Sequence, residues 1–223
     1  MILFMNSTIR YIIVGDSETG GLPNKGKQAF YDIALCEFAF VVIDIQEMKV
    51  VEEWSTLFRP YKDNLEYNPQ ALEVNGLTVE QLQKSGDDLK NIYKKMVILF
   101  KKYKNPRIGA ILAGHNFQPF DMPFLINMFE FCGDSIWNYV TFVEDTMKLA
   151  WYRTKEQENY KLGTCCRMEG VDLVDAHRAL ADTKANALLL LKYISYMRGT
   201  GEGSSVAIPR MKPSSFRETF QLV

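Results

Sequence analysis

The chain switches repeatedly between continuous apolar, β-branched runs and stretches with helical hydrophobic spacing. Residues 9–14 are mostly β-branched or aromatic, the composition of a buried strand, and they run directly into Asp16-Ser17-Glu18. Two more strands are predicted at 33–45 and 50–58, and the short charged turn between them at 46–49 favours antiparallel pairing. Beyond Pro60, "NPQALEVNGLTVEQLQKSG" reads as short helical turns broken at Asn75-Gly76. Leu89, Ile92, Tyr93, Met96 and Phe100 then mark the apolar stripe of a helix over 89–103.

Residues 108–113 are uncharged and apolar throughout, as a central strand covered on both faces requires. Asp121 opens an apolar helix over 122–131, with Pro123 in the first turn, where a missing N–H costs least. A short strand at 140–143, a helix at 146–152 and two further helices at 162–168 and 180–198 follow. After Arg198 the composition changes to "GTGEGSS", a flexible linker, and then to "VAIPRMKPSSFRETFQLV". An antiparallel start followed by alternating strands and helices predicts an α/β layered domain with a mixed sheet, spanning residues 1–198, with 199–223 as linker and C-terminal tail.

Composition narrows the picture. At 223 residues and 47% hydrophobic, the chain suits one compact domain. Its apolar runs are too short to cross a bilayer and residues 1–5 have no basic segment before them, so a cytoplasmic protein without membrane contact is expected. Cys36, Cys132, Cys165 and Cys166 form no zinc-ligand pattern with the two histidines and read as reduced, mostly buried thiols. A net charge of -1 offers a polyanion no general attraction, so nucleic-acid binding would need a local patch or bound cations. Lys90, Lys94, Lys95, Lys101, Lys102, Lys104 and Arg107 lie in an acid-free stretch; a solvated helix face is the expected reading, ahead of phosphate contact.

Chemistry concentrates in three places. Asp16 and Glu18 are two apart at a strand end, so period-two geometry puts both carboxylates on one face of the sheet. Such a pair repels itself unless protonated or bridged, which suits the hard, oxygen-seeking ions Mg²⁺ or Mn²⁺. Asp121 follows "AGHNFQPF", a strand end and polar turn, at the place where ligands gather in open α/β sheets; helix N-cap is its competing role. His115 in that turn is read as a structural histidine held by backbone partners.

In "DAHRALADTKANALLLL", His177 precedes Asp182 by five residues as a long helix begins. Five helical residues turn through about 500°, so His177 must lie in the entering loop to share a site with Asp182. Asp182 has a competing role as a favourable charge near a helix N-terminus, and His177 as a surface loop residue. The five residues together meet one requirement. Phosphodiester hydrolysis needs a polarised phosphorus, a deprotonated water and a stabilised leaving oxygen, and two divalent ions about 4 Å apart serve both oxygens. Asp16, Glu18, Asp121 and Asp182 are the candidate metal ligands, and His177 the candidate general base.

With those residues in place, the sequence resembles the DnaQ-like 3′-to-5′ exonucleases, in the branch with four acids and a histidine called DEDDh, and within them the proofreading exonuclease epsilon subunits of DNA polymerase III. The blocks "VGDSETGGL", "GHNFQPFD" and "AHRALADT" carry the resemblance in the family's order, with "VEDTMKLAW" as a weaker fourth. The sister branch places a tyrosine where this chain has Arg178, which favours the histidine branch. Gly20 stands where many relatives carry a second threonine, which puts the shape of the terminal-nucleotide pocket in question.

The resemblance implies a ribonuclease-H-like fold, a mixed five-stranded sheet flanked by helices. It also implies substrate contacts at Thr19, Leu22 and Asn116. DNA 3′ ends are the expected substrate, released as 5′-mononucleotides. An exoribonuclease of the same family and a non-catalytic nucleic-acid or polymerase-binding module are the alternatives. The tail, ending "FQLV", is a candidate docking peptide for a replication or polymerase partner, or a terminal segment lying on the domain.

Overall fold

A computed structural model describes residues 9–23, 26–153, 157–173 and 178–200. Five strands form one sheet: β1 (Tyr11–Thr19), β2 (Leu35–Asp44), β3 (Lys49–Leu57), β4 (Ala110–Gly114) and β5 (Val140–Asp145), in the order β3-β2-β1-β4-β5. β1 pairs antiparallel with β2, and β2 with β3, whereas β1–β4 and β4–β5 are parallel. This is the ribonuclease-H-like mixed sheet expected from the sequence. Seven helices complete the described chain: α1 (Pro69–Asn75), α2 (Val79–Ser85), α3 (Leu89–Tyr103), α4 (Asp121–Phe131), α5 (Thr146–Arg153), α6 (Leu162–Met168) and α7 (Ala179–Met197).

The two faces of β1 explain the layering. Ile13 and Val42 join the larger core with Phe40, Phe100, Phe124 and Phe129, under α3 and α4. Ile12, Val14, Val41 and Ile43 point to the other face, where Ala187, Leu190 and Ile194 of α7 cover them. Each such side chain, fully buried, contributes about 1.5–3 kcal/mol, so neither layer separates from the sheet at small cost. Gly15 is set by the aromatic side: a Cβ there would stand 2.9 Å from Phe40 and 3.1 Å from Phe38 and Phe117.

Local signals account for the helix ends. Asn68 caps α1 through Gln70, Gly76 closes it in the left-handed region at φ 64°, and Thr78 and Gln81 cap α2 reciprocally. β1 continues past the predicted apolar run to include both acids, because its pairing with β2 extends to Thr19. The basic residues of α3 lie on a solvated face, where Lys95 meets Asp87 at 2.7 Å, Lys102 meets Glu52 at 2.5 Å, and Lys101 lies over the Tyr139 ring. Among the described residues no helix is long and apolar enough to cross a membrane. His177 and the tail from 201 to 223 lie outside the described residues.

Candidate active site

The even-numbered residues of β1 change chemistry as the strand reaches its C-terminal end. Ile12 and Val14 are core; Asp16 and Glu18 are next on the same face. α7 covers that face and its first turn carries Asp182, whose N–H donates to the Arg178 carbonyl at 3.1 Å. Carboxylate oxygens of Asp16, Glu18 and Asp182 lie within 4.8 Å of one another.

Asp121 reaches the same strand end from the opposite layer. It is the first residue of α4, not the cap: Phe120 occupies that position without a side-chain bond. The buried Asp121 carboxylate instead accepts a 2.5 Å hydrogen bond from Ser17 Oγ, on the β1 residue that lies between the two acids. Asp121 is outside the group of three mutually close acids, yet it is near enough to raise the pKa of Asp16.

The electrostatics are those of carboxylates gathered with too little compensating charge. Burial first, and then the charges of Asp121, Glu18, Asp182 and Glu37, push Asp16 well above the ordinary carboxylate range. Glu18 is pushed to about 7 by burial, Asp182 and Glu37, against an opposing pull from Arg178. Asp121 is raised by burial, although the Ser17 hydrogen bonds oppose the shift. Three close oxygen donors with excess negative charge fit a hard divalent cation, which would replace protons as the neutralising partner. The donor set contains no soft ligand, and Cys36, although close enough to be affected by Glu18 and Glu37, is buried with its thiol pushed up to about 12.

A cleft of about 490 Å³ adjoins Glu18 and is lined by Thr19, Leu22, Asn68, Val74 and Phe120, among others. Thr19 is buried and its hydroxyl donates to the Gly21 carbonyl, whereas Leu22 is 67% exposed at the rim. Gly20 explains how α1 comes so close. A Cβ there would fall on the carbonyl oxygen of Glu66, and the Gly20 backbone pairs with both Ala34 and Asn68. The Asn75 side chain then ties the end of α1 to the Thr19 carbonyl at 3.1 Å.

Asn116 sits apart from this cleft's lining. Its backbone has φ 57°, and its N–H donates to Asp145 Oδ1, which also accepts from Met147 N–H. His115 has the structural place read from the sequence: Nδ1 contacts Thr146 Oγ1 at 3.0 Å and Nε2 the Tyr160 carbonyl at 2.7 Å, and burial lowers its pKa.

Two participants escaped sequence reasoning. Glu37 is buried in β2 directly opposite Glu18, and Arg178 forms an ion pair with it at 3.4 Å. An acid two residues into the apolar run "LCEFAFVVI" was the available signal, since a charge in a buried strand needs a partner.

Comparison with known proteins agrees with this geometry. Residues 13–190 match the family model RNase_T, described as Exonuclease. The chain is 26% identical over 182 residues to the PolC-type DNA polymerase III of Bacillus cereus and 30% over 178 residues to that of Lacticaseibacillus paracasei. These alignments cover 82% and 80% of this chain but 11% of either polymerase. In three dimensions the fold is similar to E. coli Exonuclease I in complex with a dT13 oligonucleotide, with a TM-score of 0.68 at 20% identity, covering 85% of this chain and 42% of that one. A family match over most of the chain, on a ribonuclease-H-like sheet, makes this protein a member of the exonuclease family, of the DnaQ-like kind.

Proposed function

We propose that the chain is a metal-dependent 3′-to-5′ exonuclease acting on single-stranded or frayed DNA ends and releasing 5′-mononucleotides. The observation that carries this reading is the approach of Asp16, Glu18 and Asp182 to within 4.8 Å beside an open cleft. Those three acids, with Asp121, would hold two Mg²⁺ or Mn²⁺ ions, whose chemistry is to polarise the phosphate and stabilise charge on the oxygens entering and leaving.

The chain's own residues do the rest. Thr19 and Leu22 line the cleft where the terminal nucleoside would lie, and Asn116 is the proposed contact to the strand behind it. His177 takes the proton from the attacking water; the new P–O bond forms as the bond to the 3′ oxygen of the preceding nucleotide breaks. DNA is favoured over RNA because the similar proteins are DNA polymerases and an exonuclease with a dT13 oligonucleotide. The polymerase relatives also support a replication or polymerase partner, with residues 199–223 as the candidate contact.

Digestion of matched DNA and RNA oligonucleotides, labelled at either end, tests the reading. Stepwise loss of 3′ label as mononucleotide from DNA, dependent on Mg²⁺ or Mn²⁺, is expected. Preference for RNA would select the exoribonuclease alternative, and binding without cleavage the non-catalytic one.

A further inference from the structure

Asp145 has no role in the scheme above, although it holds a turn on which that scheme depends. The last pair of the β4–β5 register sets Gly114 beside Asp145. From there the chain reverses at once: a Cβ at Gly114 would fall on the Phe117 side chain, and Asn116 takes the left-handed conformation at φ 57°. Few residues other than glycine adopt that region. Such positions persist where the surroundings over-determine them, often beside a ligand.

For Asn116 the surroundings are the start of α5. Asp145 is buried, and its Oδ1 accepts two hydrogen bonds at 3.0 Å, one from the Met147 N–H of its own helix and one from the Asn116 N–H. Its Oδ2, equally buried, has no hydrogen-bond partner among the described residues. Lys148 Nζ adds a second tie to the same turn, donating to Gln118 Oε1 at 2.8 Å.

The bond to Met147 is an ordinary helix cap. Serine would supply it without burying a second, unpaired oxygen, so capping alone does not account for a carboxylate here. What the longer side chain adds is the reach to Asn116. Asp121, beyond this turn, has its own hold on β1 through Ser17.

We propose that Asp145 is a positioning residue for substrate binding, which locks the left-handed turn that presents Asn116 to the nucleic-acid strand. The proposal rests on the reading of Asn116 as a contact to that strand. Asp145 acts through Asn116 and is not a further metal ligand: it lies outside the group of three mutually close acids.

Two substitutions separate the roles of this side chain. Asp145→Ser keeps a cap for α5 but falls short of Asn116, whereas Asp145→Asn keeps one carbonyl oxygen for both N–H groups. In Mg²⁺-dependent digestion of a 3′-labelled DNA oligonucleotide, Asp145→Ser should raise KM about tenfold with kcat little changed, the pattern of lost uniform binding. Asp145→Asn should recover most of that loss. Asn116→Gly deletes the side-chain amide while accepting the same φ, and should raise KM as much; adding Asp145→Ser to it should change little. In amide hydrogen exchange, which needs no turnover, the Asn116 N–H should be protected in the wild type and in Asp145→Asn and open in Asp145→Ser, with the melting temperature held.

A loss confined to kcat, multiplying KM losses in the double variant, or wild-type KM in Asn116→Gly would each overturn the proposal. So would Asp145→Asn no better than Asp145→Ser, or an Asn116 N–H equally protected in all three proteins. No cleavage by the wild type would instead sink the nuclease reading; the affinity of the same variants for a 5′-fluorescein-labelled DNA oligonucleotide, read by anisotropy beside the exchange rates, would then decide the role of Asp145.

Discussion

Asp16 is the residue on which the acid cluster turns, since it is raised by burial and by all four neighbouring acids. Asp16→Asn should reduce turnover about 10³-fold, equivalent to the several kcal/mol of charge stabilisation that bound cations supply. The same change should raise the Tm of the metal-free protein near pH 8, because folding forces Asp16 either to take up a proton or to bury a repelled charge and the amide needs neither; a lower Tm would contradict this. Glu18, together with Asp16 and Asp121, which burial also raises, sets the pH dependence. The Glu18 pKa rises from an ordinary 4.5 to about 7, so the folded protein holds this proton more tightly than the unfolded chain. That contribution to stability is complete below pH 4.5 and is lost as pH rises through 7. The metal-free protein should therefore lose Tm between about pH 5 and about pH 8, and Mg²⁺ should restore most at the upper end. Asp44, Asp87 and Asp134 are held low by their partners and act in the opposite sense, but only below their ordinary 3.8. Thermal melts across this range check the sign, with Glu18→Gln expected to show a shallower loss of Tm than the wild type, because Asp16 and Asp121 stay raised.

At the scale of elements, the close seating of α1 shapes the cleft. Asn75→Ala removes the donor to the Thr19 carbonyl and should cost about 1 kcal/mol, read by denaturant unfolding, with a larger effect on KM than on kcat. Equal losses in both constants would mean that α1 acts on the chemistry and not on the cleft. The elements also show which features were legible in the sequence. The apolar runs of β1 and β4 and the stripe of α3 were plain, because burial on known faces leaves a periodic trace. Asp121 was found, although its helix-cap alternative was wrong in detail: its carboxylate turns across to Ser17, a contact 104 residues away that no local pattern encodes. Glu37 went unseen for the same reason. Its role depends on strand register and on Arg178, which lies 141 residues further on.

Over the whole molecule, the sheet order brings the ends of β1 and β4 side by side, and helices from the two layers deliver Asp121 and Asp182 to that edge. α7 is closed within the described chain: the Arg198 N–H bonds to Ile194 and its guanidinium to the Ile45 carbonyl. Truncation after Thr200 should accordingly leave both the melting transition and kcat unchanged, while removing any partner held by the tail; a collapsed transition would assign 201–223 to the fold. The chain spans about a ninth of the polymerases that it matches, so its activity on its own is the decisive question. The most direct measurement is Mg²⁺-dependent digestion of 3′-labelled DNA by the purified chain beside its Asp16→Asn variant. The account predicts single-nucleotide release by the first, stopped by chelator, and none by the second; equal release from both would contradict a reaction centred on these acids.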